Sequence, residues 1–177
     1  FTDSLINGSV SNFYEFNCLL AEEKQRNSDL QDIGYLGQAI CRPRNQMPPK
    51  HYEAMYYAGC KQITVGIESF SESVRDHMKK KFSDQDIDYH LEQCGLWGIN
   101  NIFLMISSYP TETLEDHKKN LADLRKYKKY ARTGIIESIR WGTTMHVIHD
   151  TPITQTEYVD ELGLSFGAGE KIFHEPD

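Results

Sequence analysis

Short stretches rich in β-branched and aliphatic residues alternate along this chain with longer segments of helical spacing. No other feature constrains the fold as much. The strand-like stretches fall at about 1–6, 34–42, 62–68, 100–107 and 136–147, with starts roughly 28–38 residues apart. Strands at this spacing, separated by helices, are the signature of βαβ units and a parallel sheet. Each parallel pairing needs a crossover, which is almost always right-handed. The expected fold is therefore α/β, a partial (β/α) TIM-like barrel built on a parallel sheet.

The helices carry their own punctuation. One is expected from Val10 to Arg26, with Val10, Phe13, Phe16, Leu20 and Ala21 on one apolar face. Pro48-Pro49 opens a second, with Tyr52, Met55 and Tyr56 turned inward and Gly59 as its left-handed cap. A third spans Ser83 to Gly95, where Ser83 and Asp86 have capping-box spacing. A fourth starts near Thr113, with Asp116 near the orphan amides and Leu114, Leu121 and Leu124 buried.

Strand periodicity places side chains more informatively. In residues 63–68, Ile63, Val65 and Ile67 share one face, and Thr64, Gly66 and Glu68 share the other. In a barrel the apolar set packs on helices, and the second set lines the interior with Glu68 at the C-terminal mouth. Active sites of this architecture are built there. Leu36, Gln38, Ile40 and Arg42 likewise share a face, and the 100–107 stretch stays apolar until Ser107. The strand ends thus deliver Asp3, Arg42, Glu68 and Ser107 or Ser108 to one rim. Two readings stay open: the charges grip a zwitterionic ligand, or they pair with each other as a structural salt bridge.

Composition removes several function classes. With 26 acidic against 19 basic residues the formal charge is −7, a field that opposes non-specific binding to nucleic acid. The lysines at 79–81 and at 126, 128 and 129 read as solvated helix ends. The longest apolar run, Ile102 to Ile106, is too short to cross a bilayer. Cys18, Cys41, Cys60 and Cys94 stand 23, 19 and 34 residues apart, so no local C-x₂₋₄-C clamp exists. Reduced, mostly buried thiols of a cytoplasmic protein are expected.

His146 and His149 lie three apart in an expected strand and so point to opposite faces, against a shared metal. His77, His90 and His117 read as exposed, Trp97 and Trp141 as packing residues, and Tyr52, Tyr56 and Tyr57 as a helix-to-sheet interface. The glycine-rich 166–170 stretch lacks the lysine and hydroxyl of a phosphate loop.

Five stretches, in order, resemble motifs of the radical S-adenosylmethionine (radical SAM) superfamily. Gly66-Ile67-Glu68-Ser69, then Ser71 to Val74 and Met78-Lys79-Lys80, is similar to that family's fourth strand and following helix. Gly98-Ile99 and Ser107-Ser108-Tyr109-Pro110-Thr111-Glu112-Thr113 resemble its fifth strand and G-x-P-x-E-T turn. Phe1 to Gly8 resembles the second-strand signature of the branch with an upstream cobalamin domain. Ala39 to Arg42 resembles the third strand, and Asp150-Thr151-Pro152-Ile153 the sixth-strand G-T-P element. Ser108 stands where the turn's glycine is expected, and Thr111 where another often follows the proline.

What the resemblance implies is a radical SAM iron–sulfur enzyme, an Fe–S oxidoreductase of the cobalamin-binding type. Such enzymes cleave S-adenosylmethionine (SAM) reductively at a [4Fe–4S] cluster to give a 5′-deoxyadenosyl radical. Methyl or methylthio transfer and oxidative cyclisation of the magnesium-protoporphyrin ester type are the implied reactions, and the small-molecule substrate is left open. By the motif match, Glu68 would bind the ribose hydroxyls or methionine amine and Arg42 the methionine carboxylate. Asp3 would face the amine or substrate, and the backbone leading to Ser107 and Ser108 would meet adenine.

The cluster's C-x₃-C-x₂-C loop is not in this sequence. It is expected before Phe1, with the first βα unit, so this chain alone would be inactive. Residues 1–153 are expected to be the partial barrel core and 154–177 an extension. Two other function classes remain: a non-catalytic binding or assembly module of the same fold, and another β/α-barrel enzyme with a phosphate site. Open sheet edges near 1–6 and 136–147 predict self-association.

Overall fold

A computed structural model describes residues 5–143 and 156–163. Asp3, the His146–His149 pair, the 150–153 element and the 166–170 stretch lie outside the described residues. Four strands, β1 (Tyr35–Ala39), β2 (Cys60–Glu68), β3 (Asn100–Ile106) and β4 (Ile136–Thr143), form one sheet in sequential order. All three pairings are parallel. Five helices precede or connect them: α1 (Val10–Arg26), α2 (Pro49–Ala58), α3 (Glu72–His77), α4 (Asp84–Trp97) and α5 (Leu114–Arg132). A short α6 (Thr156–Glu161) follows. The fold is α/β, part of a (β/α) barrel, as the alternation predicts.

Local chemistry sets the boundaries. Ser83 caps α4 and Thr113 caps α5, each in a reciprocal capping box with Asp86 or Asp116. Pro49 occupies the first turn of α2, where its missing N–H costs nothing. Gly59 ends that helix at φ 92°. A Cβ there would meet the Ile33 carbonyl at 2.6 Å, so both backbone conformation and space demand glycine.

The helix-facing side of the sheet is the core, and Ile63, Val65, Ile67, Phe103 and Met105 are almost wholly enclosed. Each such side chain contributes about 1.5–3 kcal/mol on burial. The opposite face carries Thr64, Gly66 and Glu68 at intermediate exposure, as strand alternation requires. Beyond β1, the Ile6 amide donates to the Gln38 carbonyl at 2.8 Å, so residue 6 continues the sheet at its free edge. The Asn7 side chain extends this pairing, bonding both N–H and C=O of Ile40 at 2.8 Å.

Three helix faces depart from the sequence expectation. Leu114 and Leu121 are 68% and 40% exposed, and α5 turns Asn120, Asp123 and Tyr127 inward instead. That helix covers polar partners, namely the segment after β2 and the charged start of α4. Asp84 there binds buried Arg75 at 2.6 Å and Lys119 at 2.8 Å, and Lys119 also binds Asp123. Tyr56 and Tyr57 are half-exposed and rest on Trp97, making a contact between helices rather than between helix and sheet.

His90, expected outside, is 2% exposed. The Asn101 amide nitrogen donates to the carbonyls of Ile99 and Ile135, which leaves its oxygen to accept from His90 Nε2 at 2.9 Å. His90 Nδ1 then accepts from the Tyr52 hydroxyl at 3.0 Å. Burial lowers the His90 pKa to about 4, so the ring is neutral at pH 7.

Candidate functional site

The C-terminal ends of β2 and β3 form a lip at which the backbone is unusual. Glu68 ends β2 at φ 64°, and Ser108 follows β3 at φ 57°. Left-handed backbone costs a residue with a Cβ about 1–2 kcal/mol, and such outliers concentrate at functional sites. Ser108 occupies the position where the resemblance expects glycine, and glycine would take that conformation without the penalty.

At Glu68 the backbone turn folds the carboxylate back over its own strand. A Cβ on Gly66 would lie 2.4 Å from Glu68 Oε1, so glycine at 66 is what lets the carboxylate lie there. Lys80 completes the arrangement, its Nζ 3.1 Å from Glu68 Oε1 and 3.3 Å from the Gly66 carbonyl. A helix-ending turn brings it there: α3 stops at His77 with Met78 as its cap, Lys79 turns left-handed at φ 58°, and the Lys80 amide donates back to the Arg75 carbonyl. Neither member of the pair is fully enclosed. A zwitterion could present its amine to Glu68 and its carboxylate to Lys80 through charge-assisted hydrogen bonds.

Arg42 lies beyond β1 and makes a different set of contacts. Its Nη2 donates to the carbonyls of Asn7 and Gly8 at 3.1 and 3.2 Å, and its enclosed Nε has no partner among the described residues. Among the described residues no ion pair joins Arg42 to Glu68, so the structural salt bridge between those two does not form. Glu68 pairs with Lys80 instead. Ser107 is half-buried and Ser108 exposed, side by side at the end of β3.

Two residues at the lip, Lys80 and Asn120, and one beyond β1, Asn7, were given no role by the sequence. Lys80 reads there as one of three solvated lysines, and only the length of α3 shows which one reaches Glu68. Asn7 carries no local signal, because its partner is 33 residues away. Asn120 sits on a helix face judged by its leucines, yet it is fully buried and bonds both lip segments.

The cysteines fit a structural role. All four are free, and Cys41, Cys60 and Cys94 are buried. Burial pushes the thiols of Cys60 and Cys94 up to about 12, which keeps them protonated. Among the described residues no group of three His, Cys, Asp or Glu could hold a metal ion. These residues do not fit a [4Fe–4S] cluster, and no chemistry through one is assigned to them. Also among the described residues, no helix is long and apolar enough to cross a membrane.

A parallel α/β sheet of four strands in sequential order, with helices between them, is the arrangement of a partial β/α barrel. The chain shares this fold with the radical S-adenosylmethionine methyltransferase TsrM from Kitasatospora setae, solved with its tryptophan substrate and a SAM analogue (aza-SAM). The TM-score is 0.64 at 16% identity, over 72% of this chain and 24% of that one. A second TsrM structure, with cobalamin and a [4Fe–4S] cluster, matches with TM-score 0.64 at 16% identity, over 72% of this chain and 23% of that one. The chain therefore spans about a quarter of TsrM's length. No family model matches the sequence, and no curated protein matches it.

Proposed function

We propose that the chain is part of a radical SAM enzyme and that its lip binds S-adenosylmethionine. The observation that carries this reading is the Glu68–Lys80 pair, held over Gly66 at the C-terminal end of β2. Glu68 takes the methionine amine and Lys80 the carboxylate, each replacing one charged partner by another of the same sign. Arg42, committed to the Asn7 and Gly8 carbonyls, shapes the neighbouring rim beyond β1 rather than serving as the main carboxylate ligand. The backbone from Ile106 to Ser108 meets adenine. Bound SAM supplies a sulfonium carbon–sulfur bond that is reductively cleaved in radical SAM enzymes, while these residues bind and orient it. The fold shared with TsrM, which binds a SAM analogue, supports the same reading. Methyl or methylthio transfer and oxidative cyclisation are its finer versions, with cobalamin as a further cofactor of the intact enzyme.

Calorimetric titration of the chain with SAM tests this directly. Saturable binding is expected, and Glu68→Gln should weaken it about tenfold, because a charge-assisted hydrogen bond is worth roughly 1.5–3 kcal/mol. The melting temperature should barely move, since the pair is partly exposed. Equal affinity in the variant, or no binding by the unaltered chain, overturns the proposal.

A further inference from the structure

The two lip segments come from different strands, and the backbone hydrogen bonds of the β2–β3 ladder end with those strands. Beyond it, side chains join them: Ser71 and Ser73 donate to Asp116, His77 bonds the Tyr109 hydroxyl at 2.9 Å, and a longer path runs through Asn120 and Glu112. Asn120, fully buried on α5, accepts from the Phe70 amide at 2.6 Å and from the Ser69 hydroxyl at 3.1 Å. Its amide nitrogen donates to Glu112 Oε1 at 3.0 Å. The other oxygen of that carboxylate, Oε2, accepts from the Ser108 amide at 2.9 Å. One uninterrupted chain therefore runs from the segment after Glu68 to the left-handed residue after β3, and each of its groups has one polarity. Asn120 must accept on the β2 side and donate on the β3 side. Glu112 must accept on both.

We propose that Asn120 is a positioning residue: acting through Glu112, it clasps the segments after β2 and β3 and fixes the spacing of the ligand lip. The ligand part rests on the reading of that lip as a SAM site; the clasp itself does not. Such a chain is worth more intact than in parts, because breaking it at Asn120 leaves the buried Phe70 amide and Ser69 hydroxyl without their acceptor. It also holds Ser108 in a conformation its Cβ disfavours.

Amide hydrogen exchange, read residue by residue by NMR on the full chain, decides the matter. Asn120→Ala should speed exchange at both Phe70 and Ser108, by about tenfold or more at Phe70, whose bond is buried, and by less at exposed Ser108. Asn120→Asp separates the two ends. The introduced carboxylate still accepts from Ser69 and Phe70 but cannot donate to Glu112, so Phe70 should stay protected and Ser108 should open. Combining Asn120→Asp with Glu112→Gln restores a donor between positions 112 and 120 and leaves an acceptor for Ser108, so protection at Ser108 should return. A merely space-filling Asn120 would show no such rescue. Affinity for S-adenosylhomocysteine should follow the Ser108 amide, falling about tenfold in N120D and recovering in the double variant.

Opening at Phe70 alone in N120A, or absence of rescue, overturns the clasp. Unchanged S-adenosylhomocysteine affinity in N120D overturns its role at the ligand. Failure of the unaltered chain to bind either SAM or S-adenosylhomocysteine removes the SAM reading, and the exchange pattern still decides the clasp.

Discussion

The two ends of the sheet solve the same problem in opposite ways. Each βα unit has to reverse direction before its strand and again after it. Before β2, β3 and β4 the left-handed backbone falls on Gly59, Gly98 and Gly134, the residues that can adopt it without a Cβ penalty. After β2 and β3 it falls on Glu68, Lys79 and Ser108. The N-terminal end is also where Tyr52, His90 and Asn101 satisfy one another out of contact with water. At the C-terminal end, the Glu68 and Lys80 charges remain partly open. Strain and exposed charge gather at the end where barrels of this architecture keep their ligands; the other end is built for stability.

The largest effect that could break this contrast lies at His90. Its folded pKa of about 4 is below the ordinary 6.5, so the unfolded chain binds the extra proton more readily. Stability from this group is present above pH 6.5 and is lost as the pH falls toward 4. The loss should be on the order of 3 kcal/mol, from the proton linkage of a 6.5-to-4 shift. Urea midpoints measured across that range should fall in the unaltered chain and stay nearly flat in His90→Gln. Equal slopes would mean that the closed end is not what the buried imidazole stabilises.

Next in size is Gly59→Ala, which meets both the left-handed penalty and the Ile33 carbonyl at 2.6 Å. A loss of about 2 kcal/mol in urea unfolding is expected, the upper part of the usual cost of that conformation. The mirror experiment is the smallest. Ser108→Gly should raise stability by about 0.5 kcal/mol, the relief of strain less the added entropy of glycine in the unfolded chain. If Gly59→Ala and Ser108→Gly shift the midpoint in the same direction, the contrast between the ends fails.

Much of the scaffold was legible because its signals are local. The span of α1, the Pro48-Pro49 start of α2, the capping box of α4 and the start of α5 near Thr113 follow from residues within one helical turn of each other. The alternation Ile63, Val65, Ile67 against Thr64, Gly66, Glu68 gave the two faces of β2 correctly, since strand period is a property of the backbone. The inner face of α5 was not legible in this way. Leucine spacing points to one stripe, but the neighbour across from the helix is a set of amide, hydroxyl and carboxylate groups. Asn120 and Asp123 are buried by what they face, not by their own hydropathy. The misplacement of His90 has the same origin, because its partners Tyr52 and Asn101 come from other elements.

The sequence by itself determined the order of strands and helices, the places where helices start and stop, and the delivery of Arg42, Glu68, Ser107 and Ser108 to strand ends. These depend on dihedral preferences, caps and periodicity, all read within a few residues. Only the tertiary structure decided that Lys80 pairs with Glu68, that Arg42 binds backbone carbonyls, and that Asn120 spans the lip. Those pairings join residues 8 to 50 positions apart. A hydrogen bond or ion pair of that kind is chosen by geometry that exists only once the sheet and its helices have packed.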